Sequence, residues 1–223
     1  MRDPIGLNER LFAFFYPRFL SLAENAGQRE TRRELLSEAV GRTLELGAGS
    51  GLNLPHYTGR VTELVVTEPS PHMLEHLRRA LDADPPPVDS WQLVQSGVGA
   101  LPFDAESFDT IVATYVLCTV PDPAAALQEV DRLLRPGGRY LFLEHVHAAE
   151  GTTLGRVQDL IEVPHRYFAA GCHPNRRTEQ LLAASPLEVE RLEHGEQPRT
   201  IPTVKPTIMG SARRAPTSVR PAS

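Results

Sequence analysis

The sequence is short of cysteine and of positive charge, and each shortage removes a class of function. Its two cysteines, Cys118 and Cys172, are too few for a disulfide framework or a four-thiolate zinc site. Lys and Arg number 23 against 28 Asp and Glu, a formal net charge of −5. No overall positive field therefore exists to hold a phosphate backbone or an anionic membrane, and no nucleic-acid partner is expected. No apolar run approaches the ~20 residues that cross a bilayer. The aromatic cluster Leu11-Phe12-Ala13-Phe14-Phe15-Tyr16 has only six positions, and no small-residue cleavage site follows it. It reads as a short amphipathic helix that covers an apolar surface, with peripheral membrane contact as the alternative. A cytoplasmic location without stable membrane insertion is the expectation; oligomeric state is left open.

Proline is what the chain has in excess, 20 of 223 residues, roughly double the average usage. A chain so often interrupted cannot be one long helical array. Its length suits one domain, expected over residues 41–212, with a helical cap at 1–40 and a disordered tail at 213–223. Within it, short apolar strands alternate with helical stretches. Strands are predicted at Thr43–Leu46, Leu64–Thr67, Trp91–Val94, Phe108–Leu117 and Arg139–Leu143. Helices are predicted at Pro71–Leu81, with Ser70 as N-cap, and at Pro123–Leu134. Farther on, helices are expected at 154–169 and Thr178–Ala184, and a strand pair at Leu187–Leu192 and Thr207–Met209. This alternation calls for an α/β fold: a doubly wound, mostly parallel sheet of seven strands with helices on both faces.

The most informative stretch is Leu44-Glu45-Leu46-Gly47-Ala48-Gly49-Ser50-Gly51. A strand that runs into such a turn leaves no Cβ in the way of a ligand and turns backbone N–H groups outward. Leu52 stands where a dinucleotide fingerprint needs its third glycine, and no G-K-[ST] follows, so a P-loop is excluded. Glu45, two residues before the first glycine, would repel a pyrophosphate and attract a cationic ligand. Glu68, at the end of the second strand, is placed to accept the hydroxyls of a ribose. A ribose with a positive group and no phosphate describes S-adenosylmethionine.

With Leu101-Pro102-Phe103, Phe108-Asp109 and Leu134-Arg135-Pro136-Gly137-Gly138 added, residues 40–147 resemble the class I S-adenosylmethionine-dependent methyltransferases, which have a Rossmann-like fold. The resemblance implies a cofactor site made of Glu45, Gly47, Ala48, Gly49, Gly51 and Asn53 around the turn. Glu68, Pro69 and Met73 would extend it after the second strand, Gly97 and Val98 at the adenine, and Thr114 and Tyr115 after the fourth strand. Many members carry an aspartate where Gly97 stands, so the adenine contact here falls to backbone or to other residues. Thr114 to Val120, Glu144-His145 and Gly171-Cys172-His173-Pro174-Asn175-Arg176 narrow the resemblance to the methyltransferase-like 7 (thiol methyltransferase) group and its phospholipid methyltransferase-like bacterial relatives. Mammalian members of that group have an N-terminal membrane anchor that is not expected here.

Ligands of open α/β sheets bind beyond the carboxyl ends of the strands. His145 is accordingly the candidate general base, with backbone hydrogen bonding that shapes the pocket as its other reading. Phe15, Tyr16, Cys118, Glu144, His165 and His173 are candidates to meet the acceptor. A small-molecule acceptor is expected. S-methylation of a hydrophobic thiol is favoured, because a thiol with a pKa of ~8.5 needs no strong base. O- or N-methylation of a secondary metabolite, quinone or phospholipid is the alternative; a nicotinamide-dependent reductase and a non-catalytic binding protein stand further off. His145, His147, His165, Cys172 and His173 match no metal-ligand spacing, so no metal is expected.

Overall fold

The computed structural model describes residues 27–169 and 171–215. The Phe15 and Tyr16 candidates, the aromatic cluster and most of the expected tail lie outside them. Chain order is α1 (Arg29–Leu36), β1 (Gly41–Leu46), β2 (Val61–Thr67), α2 (Pro71–Ala83), β3 (Ser90–Val94) and β4 (Phe108–Thr114). It continues with α3 (Pro123–Leu133), β5 (Leu134–His145), α4 (Thr153–Phe168), α5 (Thr178–Ala183), β6 (Leu187–Glu196) and β7 (Pro206–Arg214). The seven strands form one sheet in the order β3-β2-β1-β4-β5-β7-β6. The first five are parallel, and β7 inserts antiparallel between β5 and β6.

Helix starts follow local chemistry. The Ser70 side chain accepts from the Met73 N–H with Pro71 at the first position, and Asp122 accepts from Ala125 with Pro123 next. Strand alternation then divides the core into two layers. Tyr140 and Phe142 of β5 join Ile111 and the α3 residues Leu127, Val130 and Leu133 on one face. Leu141 and Leu143 join Val112, Leu35 and Leu36 of α1 and Leu77 and Leu81 of α2 on the other. Both faces are covered at β1, β2, β4 and β5, which is why those strands carry near-continuous apolar runs, whereas β3 at the sheet edge is largely exposed.

Two expectations are corrected. The fourth strand stops at Thr114 rather than Leu117, because Tyr115 turns to φ +60° and the next three N–H groups bond to a side chain instead of a neighbouring strand. The last strand runs to Arg214, so Arg213 and Arg214 belong to the sheet and not to a tail. Ala212 is fully buried against β5, and Arg213 pairs with Glu188 at 2.8 Å, which gives this polar stretch its partners.

Candidate functional site

Beyond the carboxyl ends of β1 to β5, where the strand order reverses between β1 and β4, lies a cavity of about 1010 Å³. Each wall is the segment that follows a parallel strand: Gly47–Ser50 after β1, Glu68–Pro71 after β2, Ser96–Gly99 after β3 and Tyr115–Val116 after β4, with His145 at the end of β5. Helix α4 contributes His165 and Phe168, and the segment before β7 adds Gln197, Ile201 and Val204. The volume stands at the top of the range for a single small-molecule pocket.

Among the predicted residues, Gly47, Ala48, Gly49, Asn53, Glu68, Pro69, Met73, Gly97, Val98, Thr114, Tyr115, Cys118, His145 and His165 all line this one cavity. In the turn, Gly47 and Gly49 take φ of +58° and +57°, a backbone that L side chains rarely adopt. Glu68 holds the turn from the side: its carboxylate accepts from Gly49 N–H and Ser70 N–H, both at 2.9 Å. Burial, opposed by these two bonds, raises its pKa above the usual carboxylate value.

Four expected contacts are absent from the cavity wall. Glu45 points beneath the turn, where its two oxygens accept from Asn53 Nδ2 at 2.9 Å and Tyr57 Oη at 2.8 Å. Burial lifts its pKa to about 7 against the pull of those two bonds and of Arg32. It braces the turn through Asn53 and Tyr57 and is not part of the cavity wall. Gly51 also lies below; a Cβ there would come within 2.8 Å of Leu54 Cδ1, so its role is to let the turn pack on α2. Glu144 is fully buried and accepts from the N–H groups of Val116, Leu117 and Cys118, at 3.0, 2.8 and 3.3 Å. Its carboxyl, also raised to about 7 by burial, holds the loop after β4 and is not part of the cavity wall. His173 sits outside the cavity, with Nδ1 2.8 Å from Glu162.

Residues missed by sequence reasoning complete the site. Arg32 of α1 is buried, donates to Asn53 Oδ1 at 2.8 Å and Thr114 Oγ1 at 3.0 Å, and reaches the wall. Local sequence shows it only as a good helix former. Gln197 holds His145, with Nε2 and Oε1 2.6 Å apart, while the Tyr115 ring stacks on the imidazole at a centroid distance of 4.2 Å. Cys172 joins Cys118, Val204 and Tyr115 in a small apolar cluster at the same end. No helix among the described residues is long and apolar enough to cross a membrane. The outer side of α4 nevertheless exposes Leu160, Val163, Tyr167 and Phe168.

The sequence pattern of a methyltransferase domain matches residues 44–142. The human protein thiol S-methyltransferase TMT1B is 30% identical over 221 residues, covering 93% of this chain and 89% of its own length. A phosphatidylethanolamine N-methyltransferase from Cereibacter sphaeroides is 31% identical over 188 residues, covering 84% of this chain and 89% of its own. Among solved structures, the N-methyltransferase NodS of Bradyrhizobium japonicum, in complex with S-adenosyl-L-homocysteine, shares the fold with a TM-score of 0.62. Its identity is 16%, over 85% of this chain and 86% of that one.

Proposed function

The chain belongs to the class I S-adenosylmethionine-dependent methyltransferases, and from that premise we propose that its acceptor is a small hydrophobic thiol, methylated on sulfur. The observation that carries this reading is the makeup of the cavity's far end. There Val204, Tyr115 and Ala169 pack with Cys118 and Cys172, His145 Nδ1 lies 3.9 Å and 4.0 Å from the two sulfurs, and Val120, Phe168 and Ile201 line the same cavity. The imidazole is oriented by the Gln197 amide and not by a carboxylate. An alcohol would need a strong base at this point, whereas a thiol ionises within two pH units of neutrality. The exposed apolar side of α4 beside Phe168 suits the approach of a hydrophobic molecule.

The residues present fit the donor. The glycine turn keeps side chains away from one wall, and a Cβ at Gly97 would stand 3.7 Å from Pro69 Cβ, narrowing the slot between two loops. Glu68 has lone pairs left to accept from ribose hydroxyls after its two backbone bonds. Ser96–Val98 would flank the adenine with Met73 against its other side, and Gly47–Gly49, Asn53 and Arg32 would surround the amino-acid part. When bound, S-adenosylmethionine supplies a sulfonium methyl group already activated for in-line displacement, so the chain's main task is alignment and exclusion of water. With no metal bound, His145, fixed by Gln197 and Tyr115, is positioned to take the acceptor's proton at Nδ1.

A second reading, N-methylation of a phospholipid headgroup, is favoured by the Cereibacter sphaeroides relative and by the same exposed face of α4. Methyl transfer from labelled S-adenosylmethionine to alkyl thiols, phenols, amines and phosphatidylethanolamine vesicles separates the readings. Thiol turnover at least tenfold above the other classes is expected; turnover of phenols or lipid amines alone would reject the proposal.

A further inference from the structure

Both described cysteines are free and converge with His145 at the far end of the cavity. His145 Nδ1 is 3.9 Å from Cys118 Sγ and 4.0 Å from Cys172 Sγ, and all three atoms lie within 4.8 Å of one another. A zinc ion held by two thiolates at ~2.3 Å and an imidazole at ~2.0 Å in a tetrahedron needs S···N separations of ~3.6 Å. A contraction of a few tenths of an ångström brings either sulfur to that spacing from the imidazole.

The surroundings are independently those of a metal ligand. His145 Nε2 faces Gln197 Oε1 at 2.6 Å; when Nε2–H donates to that oxygen, the Nδ1 lone pair is left for the sulfurs. An imidazole that donates its outer N–H to a fixed carbonyl is the usual partner arrangement around bound zinc. Gln197 is itself 4% exposed and tied to the strand pair through its backbone N–H to Lys205 O at 2.7 Å. Charge also balances. Two thiolates would neutralise a divalent ion within this apolar cluster.

We propose that Cys118, His145 and Cys172 bind a zinc ion, leaving its fourth position open to the cavity. Three protein ligands and one open position make the pattern of a reactive zinc rather than a purely structural one. One consequence rests on the thiol reading above: the open position would take the acceptor's sulfur as a thiolate, its proton leaving to solvent, so that with zinc bound His145 acts as a ligand and not as the base. The metal site itself does not depend on that reading. Spacing along the chain showed no such site because its ligands come from the loop after β4, the end of β5 and the turn after α4.

The test uses the full tag-free chain, kept reduced, stripped with a chelator and titrated first with cobalt(II) and then with zinc(II). One cobalt per chain is expected, with the thiolate-to-cobalt charge-transfer band in the near ultraviolet and strong visible bands of a four-coordinate ion, displaced by one equivalent of zinc. Cys118→Ser and Cys172→Ser should each weaken or remove the charge-transfer band, and the double variant should lose it. Gln197→Ala should weaken zinc binding about tenfold to a hundredfold, while His173→Asn should leave it unchanged. Circular dichroism and S-adenosylmethionine binding report whether each variant is folded. Failure of the reduced wild type to take up metal while both thiols titrate overturns the proposal, as does metal uptake that survives the double variant, or a Cys118–Cys172 disulfide that forms under reductant in place of metal binding. A chain that binds cobalt as described but methylates only amines would refute the thiol reading and leave the metal site standing.

Discussion

Replacing Glu45 by glutamine should change how stability depends on pH more than it changes stability at any one pH. Glu45 is fully buried under the glycine turn, and burial raises its carboxyl from 4.5 to about 7. Below pH 4.5 the group is protonated in both folded and unfolded chains and contributes nothing to the slope. Between pH 4.5 and about 7 the unfolded chain loses this proton and the folded chain keeps it, so stability falls as pH rises. Above about 7 both states are ionised, and the penalty stays constant. The interval from 4.5 to about 7, at about 1.36 kcal/mol per pH unit, amounts to about 3 kcal/mol. The amide that replaces the carboxyl can still accept from Asn53 or Tyr57 and does not titrate. Urea unfolding of both proteins at about pH 4.5, 5.5, 6.5 and 8 measures the difference. Glu144 titrates over the same range and cancels in that difference. The wild type minus variant stability should fall by about 3 kcal/mol across the series; parallel profiles would refute a buried, proton-retaining Glu45.

Other substitutions probe other parts of the site. Glu68→Gln should weaken S-adenosylmethionine binding by about tenfold to a hundredfold in calorimetry, the worth of a charged hydrogen bond pair; unchanged affinity would remove Glu68 from the cofactor site. Gly51→Ala combines a φ of +85° with a Cβ 2.8 Å from Leu54, and should destabilise the chain by about 1–3 kcal/mol in urea unfolding. Glu144→Gln replaces a carboxylate that accepts three N–H groups by an amide with one acceptor oxygen; a loss of about 1–3 kcal/mol is expected, and a variant as stable as the wild type would show that the loop after β4 is held otherwise. Phe168→Ala should raise KM for long alkyl thiols several-fold, on the order of 1 kcal/mol of apolar contact, and leave kcat nearly unchanged.

Much of this molecule is legible in its sequence because the signals are local. Ser70-Pro71 and Asp122-Pro123 start helices through bonds made within a few residues. Leu44–Leu46 running into three glycines announces a strand and a turn open to a ligand, and Glu68 is placed by the length of one βα repeat. The parallel sheet follows from that alternation, and its carboxyl ends locate the cavity.

What the sequence could not decide is where a side chain at a strand end points once both sheet faces are covered. Glu45 alternates with Leu44 and Leu46, but both faces of β1 are dry, so period two alone does not tell a carboxylate that meets a ligand from one that braces a turn. Glu144 is the same case at β5; only packing shows that the loop after β4 wraps over it and uses it in place of sheet bonds. The meeting of Cys118, His145 and Cys172, and the Gln197 that orients the imidazole, depend on contacts between segments far apart in the chain. Such contacts leave no periodic trace in the sequence. They are settled by how β7 inserts beside β5 and how α4 closes over the end of the sheet, and tertiary structure alone decided them.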